Sequence, residues 1–246
     1  MYPQFELFGI TVYSFGLTLS VSFLAFFFLL YRLSLKIGIN TNFFLGNALW
    51  FFLSSFVFSR LFYVISEWRD FQFIFSEGFF RFFFMSDYNF SLIGGIFGFL
   101  LVLFVFTKFR KLPGNKFIDA VSLAFLGAAF IGFIGAFLGG QILGAPTESA
   151  LGISYPADTV NNPYTSPVLP LGLFYAVFSF ALFCILYIVR TVVRVDGIIG
   201  YLAILLFSSA YLVGEEFSGR PDLFEGLVGA SLAQIGFFLL ILVAVR

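Results

Sequence analysis

Seven long apolar runs fill nearly all of this 246-residue chain, and the polar residues that interrupt them fall at the ends of the runs or in glycine-rich patches. The composition is 61% hydrophobic and 11% charged, a balance that would leave large apolar patches on the surface of a water-soluble fold of this size. A bilayer core of about 30 Å needs about 20 apolar residues per helical span. The sequence therefore predicts a polytopic membrane protein.

The unbroken length of these runs predicts helices rather than a β-barrel. Backbone groups in hydrocarbon must be bonded internally, and barrel strands would show alternation over about ten residues. The expected fold class is all-α, a bundle of about seven transmembrane helices forming a single transmembrane domain over residues 1–246. The predicted spans are 9–31, 43–65, 90–107, 117–143, 169–189, 197–214 and 223–245.

The distribution of the cations predicts an orientation. The connections after the first, third and fifth spans and the C-terminus hold nine of the 13 Lys and Arg residues, and the opposite side holds Arg60, Arg69, Arg81 and Arg220. By the positive-inside rule the C-terminus is cytoplasmic and the N-terminus outside. The basic residues form short juxtamembrane clusters rather than a face, so no nucleic-acid partner is expected.

Several chemistries are disfavoured by composition. The chain has no histidine, which removes the commonest general base and the commonest nitrogen ligand for transition metals. Cys184, the single cysteine, lies within an apolar run, where packing is favoured over a reactive thiol. Residues 1–7 lack a positive n-region, so a removable signal peptide is not expected. Neither a metal nor a cofactor is predicted, and any chemistry must use Glu, Asp, Arg, Tyr or backbone groups.

Two connections are long enough to have structure of their own. Residues 67–89 are aromatic but punctuated by charge, which suits an amphipathic helix in the outer headgroup layer; a re-entrant hairpin packed on the bundle is the alternative. Residues 145–168 form the other connection, rich in proline and asparagine towards its end. This outer loop, ordered or mobile, is large enough to act as a small cap over a lateral opening.

Polar residues at membrane depth are costly and are therefore functional candidates. Arg60 lies late in the second span beside Tyr63. One interpretation is a cation that snorkels to the interface. The other is a fixed positive charge for a lipid phosphate near the outer leaflet.

The fourth span is rich in glycine, with Gln141 at its outer end. Glycines spaced in this way let another helix or a lipid chain approach the backbone closely. Residues 91–95, which include Gly94 and Gly95, open the third span in a similar way. Residues 214–222 form the most polar cluster, in which Arg220 and Asp222 flank a proline that forces a turn. That cluster is either an ion-paired corner at the outer surface or part of a site.

Five short segments carry a resemblance to a known family. They are residues 10–17, 59–64, 91–95, the run 132–141 followed by Gly144, and the stretch from Glu216 through Pro221 and Asp222 to Gln234. In this order they resemble the motifs of the prolipoprotein diacylglyceryl transferase family of bacterial inner-membrane enzymes. The resemblance covers nearly the whole chain, and seven spans with an outside N-terminus is also that family's topology.

The departures from that family's motifs fall on polar side chains. A family histidine is replaced by Ile93, an arginine by Phe133, an asparagine by Ala136, a glutamate by Gln141 and a second arginine by Leu212. The family's His-Pro-x-Gln-x-Tyr-Glu element is represented only by Leu-Pro-Leu-Gly-Leu-Phe-Tyr at residues 169–175. The glycines that shape the backbone are retained, whereas charged and hydrogen-bonding groups are not.

The resemblance implies a function and a set of site residues. The family moves a diacylglyceryl group from phosphatidylglycerol to a lipobox cysteine thiol, which implies two partners, phosphatidylglycerol or another membrane lipid and a lipobox-containing lipoprotein precursor. The implied catalytic residues are Glu216, Gln141 and Arg220. The implied substrate-binding residues are Arg60, Tyr13, Tyr63, Gly94, Gly95 and Gly144. We expect Arg60, Gln141 and Glu216 to line one cavity in the outer half of the membrane.

Three functions stay open at this stage. The first is a divergent transferase in the bacterial inner membrane. The second is a pseudoenzyme with the same fold that binds lipid or lipoprotein precursor without turnover. The third is a small transporter or channel subunit, which the lack of recurrent charges along any span and of an inverted repeat disfavours.

Overall fold

The computed structural model describes residues 4–7, 10–66, 90–155 and 166–218, and this part of the chain is mostly helical. Its elements are β1 (Gln4–Leu7), β2 (Ile10–Tyr13), α1 (Ser14–Ile37), α2 (Asn42–Gly46), α3 (Ala48–Ser66), α4 (Leu92–Phe109), α5 (Gly114–Leu138), α6 (Leu171–Val192) and α7 (Ile198–Glu215). Helices α1, α3, α4, α5 and α6 are long and apolar enough to cross a membrane, and α7 contains a shorter apolar stretch. The protein is a multi-pass, helical membrane protein.

The first two predicted spans do not each correspond to one helix with the predicted ends. Ile10–Tyr13 is not helical but pairs antiparallel with Gln4–Leu7, so the all-α prediction missed a two-stranded hairpin. Its residues are Ile, Thr, Val and Tyr, all of which favour strands. Helix α1 then continues past the predicted end at residue 31 to Ile37 and stops at Gly38, whose φ of 79° is left-handed. The second span is divided at Asn47 into α2 and α3.

The remaining predicted spans have different outcomes. Spans three to six correspond to α4 to α7, although α5 begins three residues before the predicted start at 117 and ends five before the predicted end at 143. The predicted span 223–245, the interfacial segment 67–89 and residues 156–165 of the outer loop lie outside the described residues. Their structures stay predictions.

The chain divides into two compact units. The first unit contains Met1–Ile39 and Asn115–Pro221, and the second contains Asn40–Gly114 and Asp222–Arg246. The first unit therefore carries α1, α6, α7 and nearly all of α5. The second unit carries α2, α3 and α4.

In the first unit, glycines in the second half of α5 and just after its end face α1. A Cβ on Gly139 would lie 2.9 Å from Phe15 Cβ, and one on Gly135 would lie 2.6 Å from Thr18 Cβ. Further along, Ser22 Oγ donates a hydrogen bond of 2.7 Å to the Ala128 carbonyl. The contacts run in opposite directions along the two helices, so α1 and α5 are antiparallel. The interpretation of these glycines as a helix-packing surface is confirmed.

Helices α6 and α7 pack on α5 through aromatic side chains. The rings of Phe130 and Phe180 lie 4.9 Å apart, and those of Phe125 and Phe207 lie 5.1 Å apart at 90°. Edge-to-face and tilted geometries of this kind are the preferred ones for aromatic pairs. Part of the phenylalanine content of the chain therefore packs between the helices of this unit.

The second unit is built on an antiparallel pair, α3 and α4, in which serines of one helix meet glycines of the other. Ser54 Oγ donates a 2.8 Å hydrogen bond to the Gly98 carbonyl, and Ser59 Oγ donates one of 2.6 Å to the Ser91 carbonyl. A Cβ on Gly94 would lie 2.9 Å from Ser59 Cα. Small residues and interhelical hydrogen bonds are what hold helices together in lipid, where the hydrophobic effect does not drive association.

Candidate functional site

Arg60 is buried near the end of α3, with only 2% of its surface exposed. Its guanidinium carbon lies 5.4 Å from the centre of the Tyr63 ring and 5.8 Å from that of Phe90. Both distances are within the range of a cation–π contact. A snorkelling arginine would expose its guanidinium, so the structure favours the alternative of a fixed internal charge.

The start of α4 completes the surroundings of Arg60. Ser91 caps this helix, its side chain accepting a hydrogen bond from the Gly94 amide, and the Ser91 amide donates to the Ser59 carbonyl. A Cβ on Gly95 would lie 3.7 Å from Ser59 Cβ. The structure therefore brings together Arg60, Tyr63, Gly94 and Gly95, four of the predicted substrate-binding residues, although no observation tests that role.

The other predicted residues belong to the first unit. Gln141 is half-buried just beyond α5, and its backbone N–H donates a hydrogen bond to the Ala136 carbonyl. Gly144 forms an isolated β-bridge with Ser218, and its backbone N–H donates a hydrogen bond of 2.9 Å to the Leu169 carbonyl. These contacts bring the chain near Gln141 and the chain near Glu216 to the same end of this unit.

Glu216 and Tyr13 are both exposed. Glu216 follows the last helical residue of α7, and Tyr13 precedes α1 with 60% of its surface exposed. Arg220 lies outside the described residues. Because Arg60 belongs to one unit and Gln141 and Glu216 to the other, their shared cavity stays a prediction, and so do the catalytic roles.

Two of the substituted motif positions are neighbours in space. By the resemblance described above, Phe133 corresponds to a family arginine and Tyr175 to a family glutamate. Their rings lie 5.2 Å apart. Both are about 5% exposed. Tyr175 also stacks on Tyr211 at 5.2 Å and donates a hydrogen bond of 3.2 Å to the Tyr211 carbonyl. The two positions at which the resemblance implies charged side chains are thus in aromatic contact, which inspection of either position alone does not reveal.

The described parts of the outer loop are hydrogen-bonded to one another and to the end of α5. Ile153 and Val168 exchange backbone hydrogen bonds of 2.9 and 3.0 Å. Tyr155 is 8% exposed, packs with Leu143 and Val168, and donates to the Phe137 carbonyl at 3.3 Å. Burial raises the pKa of Tyr155 to about 12.

Asp119 is a buried charge that the sequence analysis did not single out. It is fully buried on α5 and accepts hydrogen bonds of 3.0 and 2.7 Å from the amides of Gly197 and Gly200, at the N-terminal end of α7. Arg190 Nε lies 3.5 Å from the same carboxylate. A lone carboxylate inside an apolar run is the sequence signal that could have identified it. Its contacts indicate a structural role, in which Asp119 on α5 holds the end of α6 and the start of α7 in place.

Comparisons with known proteins decide the family. The sequence profile of the prolipoprotein diacylglyceryl transferase family matches residues 3–246. The chain belongs to this family. Membership of the diacylglyceryl transferase family agrees with the multi-pass helical fold and places the protein among the transferases of lipoprotein biosynthesis.

The individual relatives have low sequence identity to this chain, but the matches cover most of it. The chain is 26% identical over 181 residues to phosphatidylglycerol–prolipoprotein diacylglyceryl transferase 2 of Clostridium perfringens, covering 72% of this chain and 67% of that protein. It is 24% identical over 237 residues to the corresponding transferase of Halalkalibacterium halodurans, covering 94% and 79%. The Clostridium tetani transferase is 24% identical over 224 residues, covering 88% and 85%.

Proposed function

We propose that this protein transfers a diacylglyceryl group from phosphatidylglycerol to the cysteine thiol of a lipobox-containing lipoprotein precursor, in the inner membrane of a bacterium. The observation that carries this proposal is the buried guanidinium of Arg60 within an apolar helix of a chain that belongs to the transferase family. A desolvated arginine is well suited to a phosphodiester because its planar group can donate two parallel hydrogen bonds to phosphate oxygens.

The reaction requires stabilisation of a leaving phosphate. The cysteine sulfur attacks the glycerol carbon that carries the phosphate oxygen, a carbon–sulfur bond forms, the carbon–oxygen bond breaks, and glycerol phosphate leaves with the electron pair. Negative charge increases on the phosphate as the bond breaks. Arg60 would stabilise that charge, and a single donor aimed at developing charge changes rates by about a hundredfold or more.

The thiol must also lose its proton. A free thiol with a pKa near 8.5 is only a few per cent thiolate at neutral pH, and the chain has no histidine. We assign the carboxylate of Glu216 as the group that takes the proton, with Gln141 as a neutral donor and acceptor and Arg220 as a second cation for the leaving phosphate. Contacts that bring the chain around Gln141 and Glu216 to one end of the first unit support this assignment.

The distribution of charge supports the predicted orientation. At one end of the first unit, Lys36 Nζ donates a hydrogen bond of 2.9 Å to Tyr187 Oη. At the same end, Arg190 forms ion pairs with Asp119 and Asp196. Glu216 lies at the other end, beyond the last turn of α7. We infer that the cationic end faces the cytoplasm and that the N-terminus and the site face outwards.

A transfer assay tests the proposal. Purified protein in phosphatidylglycerol vesicles would be given a labelled lipobox peptide, and conversion to the diacylglyceryl thioether would be measured. We expect turnover well below that of a motif-complete family member. Arg60→Ala should lower it about a hundredfold, and Glu216→Gln should abolish the remainder. Arg194→Gln, which removes an exposed cation from a connection, is the matched control and should leave turnover unchanged.

Lipid preference is the second arm of the test. Wild-type protein should retain phosphatidylglycerol over phosphatidylcholine, and Arg60→Ala should remove the share of that preference that the transfer site provides. Transfer that is unaffected by both Arg60→Ala and Glu216→Gln would show that other groups carry the reaction. Retention of phosphatidylglycerol that depends on Arg60, without any turnover, would favour the pseudoenzyme alternative, which the names of the relatives do not support.

A further inference from the structure

A second cationic region lies at the opposite end of the second unit from Arg60. Arg60 contacts Phe90, just before the start of α4, whereas Lys108, Arg110 and Lys111 lie at its end. An 18-residue helix is about 27 Å long, close to the thickness of the hydrocarbon core. The two regions therefore lie at the depths of the two opposite headgroup layers.

Arg110 is fixed in position although it is exposed. Its Nη2 donates a 3.0 Å hydrogen bond to Asn47 Oδ1, and its guanidinium carbon lies 5.7 Å from the Phe43 ring and 5.2 Å from the Phe106 ring. Asn47 is buried and donates in turn to the Phe43 carbonyl. These contacts leave further guanidinium N–H groups directed to the surroundings, because arginine has five donors.

Lys108 and Lys111 lie on either side of this fixed arginine. Both are exposed, and the Lys111 amide donates to the Lys108 carbonyl in a tight turn in which Lys111 has a φ of 52°. Residues 40–66 and 90–114, the described part of this unit, contain no Asp or Glu. None of the three cations lies within ion-pair distance of a carboxylate among the described residues.

Exposed apolar residues lie next to the three cations. Phe109 is 82% exposed between them, and Trp50 is 59% exposed in the first turn of α3, close in sequence to Asn47. Tryptophan is typical of the membrane–water interface. A region with cations at the headgroup level and large apolar side chains just below it matches an amphiphile with an anionic headgroup.

We infer that Lys108, Arg110 and Lys111 form a binding site for the headgroup of an anionic phospholipid, separate from the proposed transfer site. The phosphate accepts hydrogen bonds from the pre-positioned Arg110, and the two lysines supply the surrounding positive potential. Each cation close to an anionic membrane surface contributes about fivefold in affinity. Arg110 contributes specificity because Asn47 holds it in one orientation.

Native mass spectrometry tests this site with phosphatidylserine as the probe and phosphatidylcholine as the reference lipid. Lys108→Gln/Arg110→Gln should lower phosphatidylserine retention at least tenfold, while Arg32→Gln/Arg194→Gln, which removes two exposed cations elsewhere, should change it less than twofold. Asn47→Ala keeps every charge and should lower retention about threefold. Arg60→Ala should leave it unchanged, so that this site and the transfer site succeed or fail separately.

Two outcomes would overturn the inference. Equal losses in both double variants would mean that net charge alone attracts the lipid, and no loss in either would mean that there is no site. A photoactivatable phosphatidylserine on the wild-type protein gives a test that needs no variant. It should label the peptide that contains residues 104–111, and labelling confined to residues 60–66 would contradict the proposal.

Discussion

Arg60 and Asp119 are both buried charged side chains in apolar helices, yet their surroundings differ in kind. Asp119, in the first unit, receives two backbone amides and an arginine, all from the end of α6 and the start of α7. Arg60, in the second unit, lies against the faces of Tyr63 and Phe90. Burial alone therefore does not identify a functional charge. The two backbone amides and the arginine around Asp119 indicate a structural role, whereas Arg60 is a candidate for substrate binding because it lies in the motif-like segment 59–64.

The largest expected effect is on stability, at Asp119. Asp119→Ala leaves the Gly197 and Gly200 amides and Arg190 without their common acceptor, and removing one partner of a buried pair costs about 3–5 kcal/mol. Asp119→Asn, which keeps one oxygen acceptor, should cost less. Unfolding of the detergent-solubilised protein measures both. A free energy of unfolding that is unchanged in Asp119→Ala would remove the distinction between the two charges.

Arg60 should show the opposite pattern, with function affected more than stability. Arg60→Met removes the charge but keeps much of the side-chain volume beside the two rings, so it should lower the free energy of unfolding by less than Asp119→Ala does. Transfer should fall about a hundredfold, which corresponds to about 2.7 kcal/mol. Arg60→Lys keeps the charge and should recover part of the activity. A stability loss equal to that of Asp119→Ala would make Arg60 a structural residue.

Gly94 tests how closely the packing of α3 and α4 controls the position of Arg60. A Cβ at Gly94 would lie 2.9 Å from Ser59 Cα, next to Arg60 in the chain. Gly94→Ala should therefore separate the helices, cost about 1–3 kcal/mol and lower transfer. Gly16→Ala is the matched control, since its Cβ would meet no atom within 4 Å. Equal stability and activity in the two variants would show that the close approach does not matter.

A substitution at Asp196 should have the smallest effect on stability, because Asp196 is a charged side chain that is largely exposed. It lies 3.0 Å from Arg190 Nη2, but 38% of its side chain is exposed. Exposed ion pairs contribute between zero and about 1 kcal/mol. Asp196→Asn should therefore change the midpoint of thermal unfolding only slightly, and that small change should diminish further in high salt. A loss as large as that at Asp119 would mean that the whole cluster acts as one unit.

The sequence alone predicted features that depend on a single stretch of chain or on a single residue. Apolar length located α4 to α7, and Arg60 stood out as a cation within a span. Local hydrophobicity could not distinguish the Ile10–Tyr13 strand from a helix, since both are apolar, and it did not reveal the interruption at Asn47. The partners of Asp119 and the contact of Phe133 with Tyr175 depend on residues distant in sequence. Pairing at that distance is fixed by tertiary packing.

The two helix pairs described above also differ in when their partners are synthesised. The serine–glycine contacts of α3 and α4 join residues 44 positions apart, whereas the Ser22–Ala128 contact joins residues 106 positions apart. If helices enter the bilayer in the order of translation, α3 and α4 pair almost as soon as both are inserted. Helix α1 must wait in lipid, with its small-residue face uncovered, until α5 has been made. Of these two pairs, α1 and α5 are therefore the one whose assembly depends more on the rate of translation and on any insertion factor that covers α1 in the interval.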